Sequence, residues 1–203
     1  MKNVLVPLLT LAAVGLAHAE PATPDELVPE LRNGGYVLFV RHPATNPDQA
    51  DTDPLHLDNV KAQRQLSDKG RAQARTLGEA LRALKIPVEK VISSKFNRAV
   101  EAAKLLDVGE VVPELDVSEG GLVVSTHENE RRAKALRALL STPPADGKNL
   151  VIVSHKPNLQ DAAGKEFGDL AEAEVVVFKP LGDGKFRVVA RVPSPETWSR
   201  WAK

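Results

Sequence analysis

Two histidines and two arginines of this chain stand at, or just beyond, the carboxyl ends of apolar runs. Residues 36–46 read YVLFVRHPATN, in which five apolar residues stop at Arg41 and His42. Residues 149–158, NLVIVSHKPN, repeat the form and stop at His155. Between them, KVISSKFNRAVEAA at 90–103 is a strand pattern followed by Arg98. Imidazole titrates near neutrality, so it can attack, donate or accept a proton at physiological pH. The planar fork of arginine matches the oxygens of a phosphoryl group. Singly, a histidine at a strand end is more often a partly buried polar group than a catalyst, and a lone arginine near a helix start is usually a surface charge. Their coincidence at one kind of position is what points to chemistry.

Secondary-structure patterns supply that position. TPDELVPELRNGG (23–35) reads as a helix capped by Thr23, with Pro24 in its first turn and Gly34–Gly35 ending it. Tyr36–Val40 reads as a strand, and Ala44–Gln65, which has no period, as a loop. LSDKGRAQARTLGEALRAL (66–84) is a helix capped by Ser67, with Ala74, Leu77, Leu81 and Leu84 on one side. Further on come a strand at Lys90–Ser94, a helix at Asn97–Leu106 and a short strand at Val111–Val112. A helix at 126–141, a strand at Asn149–Ser154 and a helix near Asn158–Phe167 follow. Strands at Glu174–Lys179 and Phe186–Val192 flank the turn LGDG. Alternating strands and helices imply an α/β domain with a largely parallel sheet. Open sheets of that kind bind ligands beyond the carboxyl ends of their strands. Arg41, His42 and His155 sit at such ends. Arg98 falls in the first turn of a helix, where free N–H groups and the positive end of a dipole add to an anion pocket.

These segments resemble the histidine phosphatase superfamily, also called phosphoglycerate mutase-like. VLFVRHPAT is similar to its Arg-His-Gly signature, LSDKGRAQARTLGEAL to its Leu-Ser-x-x-Gly-x-x-Gln-Ala helix, VISSKFNRAVEAA to its Ser-Ser-x-x-x-Arg-Ala segment and VIVSHKPNL to its second-histidine strand. The order matches, and the resemblance covers about residues 36–180. It implies a three-layer α/β/α sandwich around a mostly parallel sheet. It implies His42 as a nucleophile that forms phosphohistidine, with Arg41, Arg98 and His155 binding the phosphoryl oxygens. It implies neither a cofactor nor a metal. Thr45 sits where many members carry Ser or Thr, and is expected to bond to a phosphate oxygen.

Two departures stand out. Pro43 replaces the usual glycine, and a proline has no N–H and no access to positive φ. Lys156 and Pro157 follow His155 where many members have glycine, and Lys156 reads as a solvated lysine. The least determined role is the general acid that protonates the leaving group. Glu119 is favoured, because Gly120 and Gly121 allow a tight turn into the site. Glu174, Glu114, Asp116 and Asp161 are its rivals. DTDPLHLD (51–58) has ligand types for a metal, but Pro54 and the lack of a glycine turn fit a calcium loop poorly. It reads instead as a pocket rim that helps choose the substrate.

Composition bounds the rest. The 203 residues carry 27 basic and 27 acidic side chains, so no global charge points to nucleic acid or an anionic membrane. Aromatics are too few for a base-stacking platform. Without cysteine there are no disulfides or thiolate metal sites. Lys2, the mostly apolar run Val4–Ala17 and AHA at 17–19 read as a signal peptide cleaved after Ala19. That run is too short to span a bilayer comfortably. Residues 20–203 then form a single exported domain, periplasmic or secreted, with no stable membrane insertion. The expected activity is a phosphatase acting on a phosphorylated small molecule, an envelope component or a phosphoprotein. A mutase would have left its glycolytic substrates behind on export. The alternative is a phosphate-binding member of the same fold that has lost turnover.

Overall fold

The computed structural model describes residues 23–120 and 123–203. The expected signal peptide, its cleavage site after Ala19, and Gly121 lie outside the described residues. Among them, six strands form one sheet: β1 (Val37–Arg41), β2 (Val88–Ser94), β3 (Val111–Glu114), β4 (Asn149–Ser154), β5 (Val175–Gly182) and β6 (Lys185–Val192). Their order is β3-β2-β4-β1-β5-β6. The first four strands of the chain are parallel where they pair, whereas β5 runs antiparallel to β1 and to β6.

The strands read as unbroken apolar runs because both faces of the sheet are covered. Alternate residues of β1 divide between two cores. Leu38 and Val40 join Leu27 and Leu31 of α1 (Pro24–Asn33), Leu77 and Leu81 of α2 (Asp68–Ala83), Leu106 of α3 (Asn97–Leu106) and Trp198 of α6 (Pro195–Trp201). Val37 and Phe39 join Leu136 and Leu140 of α4 (Thr126–Ser141) and Leu159 of α5 (Lys156–Ala163) on the other face. The expected three-layer α/β/α sandwich is therefore the observed one.

Local differences have local causes. β2 begins at Val88, two residues before the expected start, and its register with β4 is irregular there. The helix expected near Asn158–Phe167 starts at Lys156 and ends at Ala163, because Gly164 adopts φ +139°. A 3-10 turn, Lys165–Asp169, continues the chain. α6 was not anticipated, although Ser194 caps it and Pro195 opens it. No helix among the described residues is long and apolar enough to cross a membrane.

Candidate active site

The register of the central strands builds the site. β1 and β4 are adjacent and parallel, with Arg41 opposite Ser154. The next residue on each strand is a histidine, and the His42 N–H donates to the Ser154 carbonyl at 2.9 Å. Their imidazoles stand with ring centres 5.2 Å apart. Both are almost wholly buried, as is Arg98.

His42 has a fixed tautomer. Its Nδ1 lies 2.9 Å from the Pro43 carbonyl, which can only accept, so Nδ1 carries the proton and Nε2 keeps its lone pair. Burial lowers its pKa to about 3, helped by the charge of Arg98, so the ring is neutral at physiological pH. His155 is likewise pushed well below the ordinary value by burial, then by Arg98 and His42. The exchange of glycine for Pro43 thus removes an N–H but leaves the carbonyl that orients the His42 ring.

The start of α2 holds this loop in place. The Ser67 hydroxyl accepts from Gly70 N–H at 3.1 Å, capping the helix. The Ala44 carbonyl accepts from the Ser67 N–H at 3.0 Å, and Gln73 Oε1 accepts from the Ala44 N–H at 3.1 Å. A Cβ at position 70 would lie 2.0 Å from the Ala44 oxygen, so only glycine permits this approach.

Arg98 is the hub of the pocket. Its Nη1 donates to both oxygens of Asp51, at 3.0 and 3.1 Å, and its Nη2 donates to Glu119 Oε1. The guanidinium stands over the Phe96 ring at 4.4 Å. Glu119 Oε1 is also 3.4 Å from His155 Nδ1. Arg132 of α4 steadies this segment by donating to the carbonyls of Ser118 and Glu119, at 3.0 and 3.3 Å. Of residues 51–58, Asp51 reaches the pocket through Arg98. The expected free N–H groups at the start of α3 are reduced, because the Asn97 N–H donates to Gln63 Oε1 at 2.7 Å.

The other expected residues fall unevenly. Arg41 donates to the Leu170 carbonyl at 2.6 Å and lies 3.8 Å from Glu172. Burial lowers its pKa, while Glu172 opposes the shift. Thr45 faces Glu172 at 3.5 Å, beside Arg41. Among the carboxylates weighed as acids, Glu119 alone meets Arg98 and His155. Glu174 is buried and engaged by Arg191 at 2.6 Å. Asp116 pairs with Arg131 at 2.7 Å. Glu114 and Asp161 are exposed on β3 and α5. Among the described residues, no cluster of three or more His, Asp or Glu could hold a metal ion.

Sequence reasoning missed Arg64 and Glu172. The charge of Arg64 depresses the proton affinity of His42, His155, Arg41 and Arg98 alike, which places it among them. Its Nε is buried and unbonded among the described residues, and its backbone N–H donates to Asp51 at 3.0 Å. It lies in an aperiodic loop, where no pattern marks one arginine over another.

The model of the histidine phosphatase superfamily, branch 1, matches residues 37–120, a segment that holds Arg41, His42, Arg98 and Glu119. Over that segment the chain is similar to the histidine phosphatase superfamily. No curated protein matches it in sequence. Solved structures of phosphatases share its fold. The protein histidine phosphatase SixA, complexed with tungstate, is 18% identical with a TM-score of 0.54, over 79% of this chain and 97% of its own. A mycobacterial glucosyl-3-phosphoglycerate phosphatase is 15% identical with a TM-score of 0.55, over 77% of this chain and 97% of its own. A phosphoserine phosphatase from Entamoeba histolytica is 12% identical with a TM-score of 0.54, over 80% and 98%.

Proposed function

We propose that this chain is a phosphatase that works through a phosphohistidine on His42. The observation that carries this reading is the buried His42 Nε2 lone pair, held by the Nδ1 contact to Pro43 beside Arg98 and His155. In the first step Nε2 attacks phosphorus and the bond to the leaving oxygen breaks. Arg41, Arg98, Arg64 and His155 meet the charge on the equatorial oxygens. Glu119, protonated, gives its proton to the leaving oxygen. In the second step water attacks phosphorus, Glu119 takes the proton, and the N–P bond breaks to return neutral His42 and phosphate. Guanidinium groups fill the role a metal would otherwise take, so EDTA leaves the rate unchanged.

Arg98 is held by Asp51 and Glu119 in the free protein, so a phosphoryl group must exchange with carboxylates already there. The substrate is a phosphorylated small molecule, an envelope component or a phosphoprotein. The protein acts after export, with a mature chain beginning at Glu20. Mass spectrometry of the exported protein tests that start.

Hydrolysis of an aryl phosphate is the test of function. Its activated leaving group needs little help from an acid. Turnover that is lost in His42→Ala supports the reading. Phosphate binding without any turnover would make the chain a binding protein of the same fold.

A further inference from the structure

We propose that Ser94 fixes the tautomer of His155. It holds the proton on Nδ1, so that His42 offers a lone pair and His155 an N–H to the same phosphoryl group. This rests on the function proposed above.

β2 lies beside β4 with Ser93 opposite Val153, which brings Ser94 level with the end of β4. Ser94 is fully buried, and its Oγ lies 2.7 Å from His155 Nε2. That oxygen already accepts from the Phe96 N–H at 3.2 Å. Among the described residues, its own proton has one acceptor within hydrogen-bond reach, the His155 Nε2 lone pair. A neutral imidazole with an acceptor at Nε2 carries its proton on Nδ1. Nδ1 lies 3.4 Å from the Glu119 carboxylate, an acceptor, and 3.4 Å from Arg98 Nη2, a donor.

The opposite tautomer fares worse. Nε2–H would donate to Ser94 and leave the buried hydroxyl proton without an acceptor, which costs the desolvation of that group. Its gain would be a hydrogen bond from Arg98 Nη2 to Nδ1, which at 3.4 Å is as long as the Glu119 contact and longer than a normal N–H bond. The two contacts at Nδ1 do not decide between the tautomers, and the Ser94 hydroxyl does. The two histidines therefore carry their protons for different tasks. The Pro43 carbonyl and the Ser94 hydroxyl decide which task each performs. Ser94 touches no reacting atom in this scheme and is a positioning residue.

Imidazole nitrogens report this directly by NMR, because protonated and unprotonated ring nitrogens resonate far apart. In wild-type protein with labelled imidazoles, at neutral pH and without ligand, His155 should show a protonated Nδ1 and an unprotonated Nε2. Ser94→Ala should move the proton toward Nε2. Vanadate affinity should then fall by about tenfold, the value of one hydrogen bond. A wild-type His155 protonated at Nε2, or at both nitrogens, overturns the proposal without any variant. An unchanged tautomer in a folded Ser94→Ala does so too. A wrong functional reading would show instead as absent turnover with the expected tautomer in place, so the two failures are told apart.

Discussion

His42 and His155 stand with ring centres 5.2 Å apart because Arg41 faces Ser154 across the parallel ladder of β1 and β4. One sheet register thus places both imidazoles, and α3 adds Arg98 from the side of β2. The proposed nucleophile is fixed by backbone, which leaves few residues whose loss moves it and makes each of them testable.

Gly70 is the first. Alanine there puts a methyl 2.0 Å from the Ala44 carbonyl oxygen. Helix α2 or the loop after His42 must shift. Gly70→Ala should cost about 1–3 kcal/mol by overpacking. Its kcat/KM should fall by tenfold or more, roughly the effect of a small misplacement of the attacking atom. Denaturant unfolding and aryl phosphate kinetics check both. Unchanged kinetics would show that α2 does not position the nucleophile.

Glu119 is the second. Glu119→Gln keeps an oxygen for Arg98 but cannot deliver a proton. Activity on an alkyl phosphate should drop by about 10²-fold or more, the range of general acid catalysis. Activity on an aryl phosphate should drop far less. Equal losses on both substrates would assign Glu119 to holding Arg98 instead.

Acid should destabilise the fold through the same histidines. The folded pKa of His42 is lowered to about 3 by burial and by Arg98, and that of His155 is lowered well below its ordinary value. Unfolded histidines titrate near about 6.5. Below that value the unfolded chain binds protons that the folded chain refuses, so stability present above about 6.5 is lost as pH falls toward the folded values. The loss approaches about 1.4 kcal/mol per pH unit for each histidine. Urea unfolding at pH 7 and pH 5 measures it, and His42→Asn should flatten the slope. A flat profile in the wild-type protein would show the imidazoles to be solvated.

The sequence made the strand ends legible because each apolar run stops abruptly at its functional residue. It made the α2 contact legible only as a motif. The reason for Ser67, Gly70 and Gln73 lies in Ala44, more than 20 residues away, and appears once the chain is folded. The glycines after Glu119 point to it in the sequence, yet what brings it to Arg98 is the anchoring of its segment. Arg132 holds two carbonyls there, and Ser154 donates to the Val117 carbonyl at 2.6 Å. Arg64 and Glu172 were not legible, because aperiodic loops reveal which side chain turns inward only through tertiary contacts. The full burial of Arg98 between Asp51 and Glu119 was also out of reach. It means that Arg98 ties Asp51 and Glu119 into the fold, beside the phosphate binding proposed for it.

The most direct test of the account is to trap the phosphoryl group. A phosphoramidate on imidazole survives alkali and is lost in acid, the reverse of serine and threonine esters. Labelled substrate quenched rapidly into base should leave label on the peptide that contains residue 42. His42→Ala should abolish both label and turnover, since it removes the proposed attacking atom. His155→Ala should slow labelling without moving it. Label on His155, or full activity in His42→Ala, would contradict the assignment of His42 as the nucleophile.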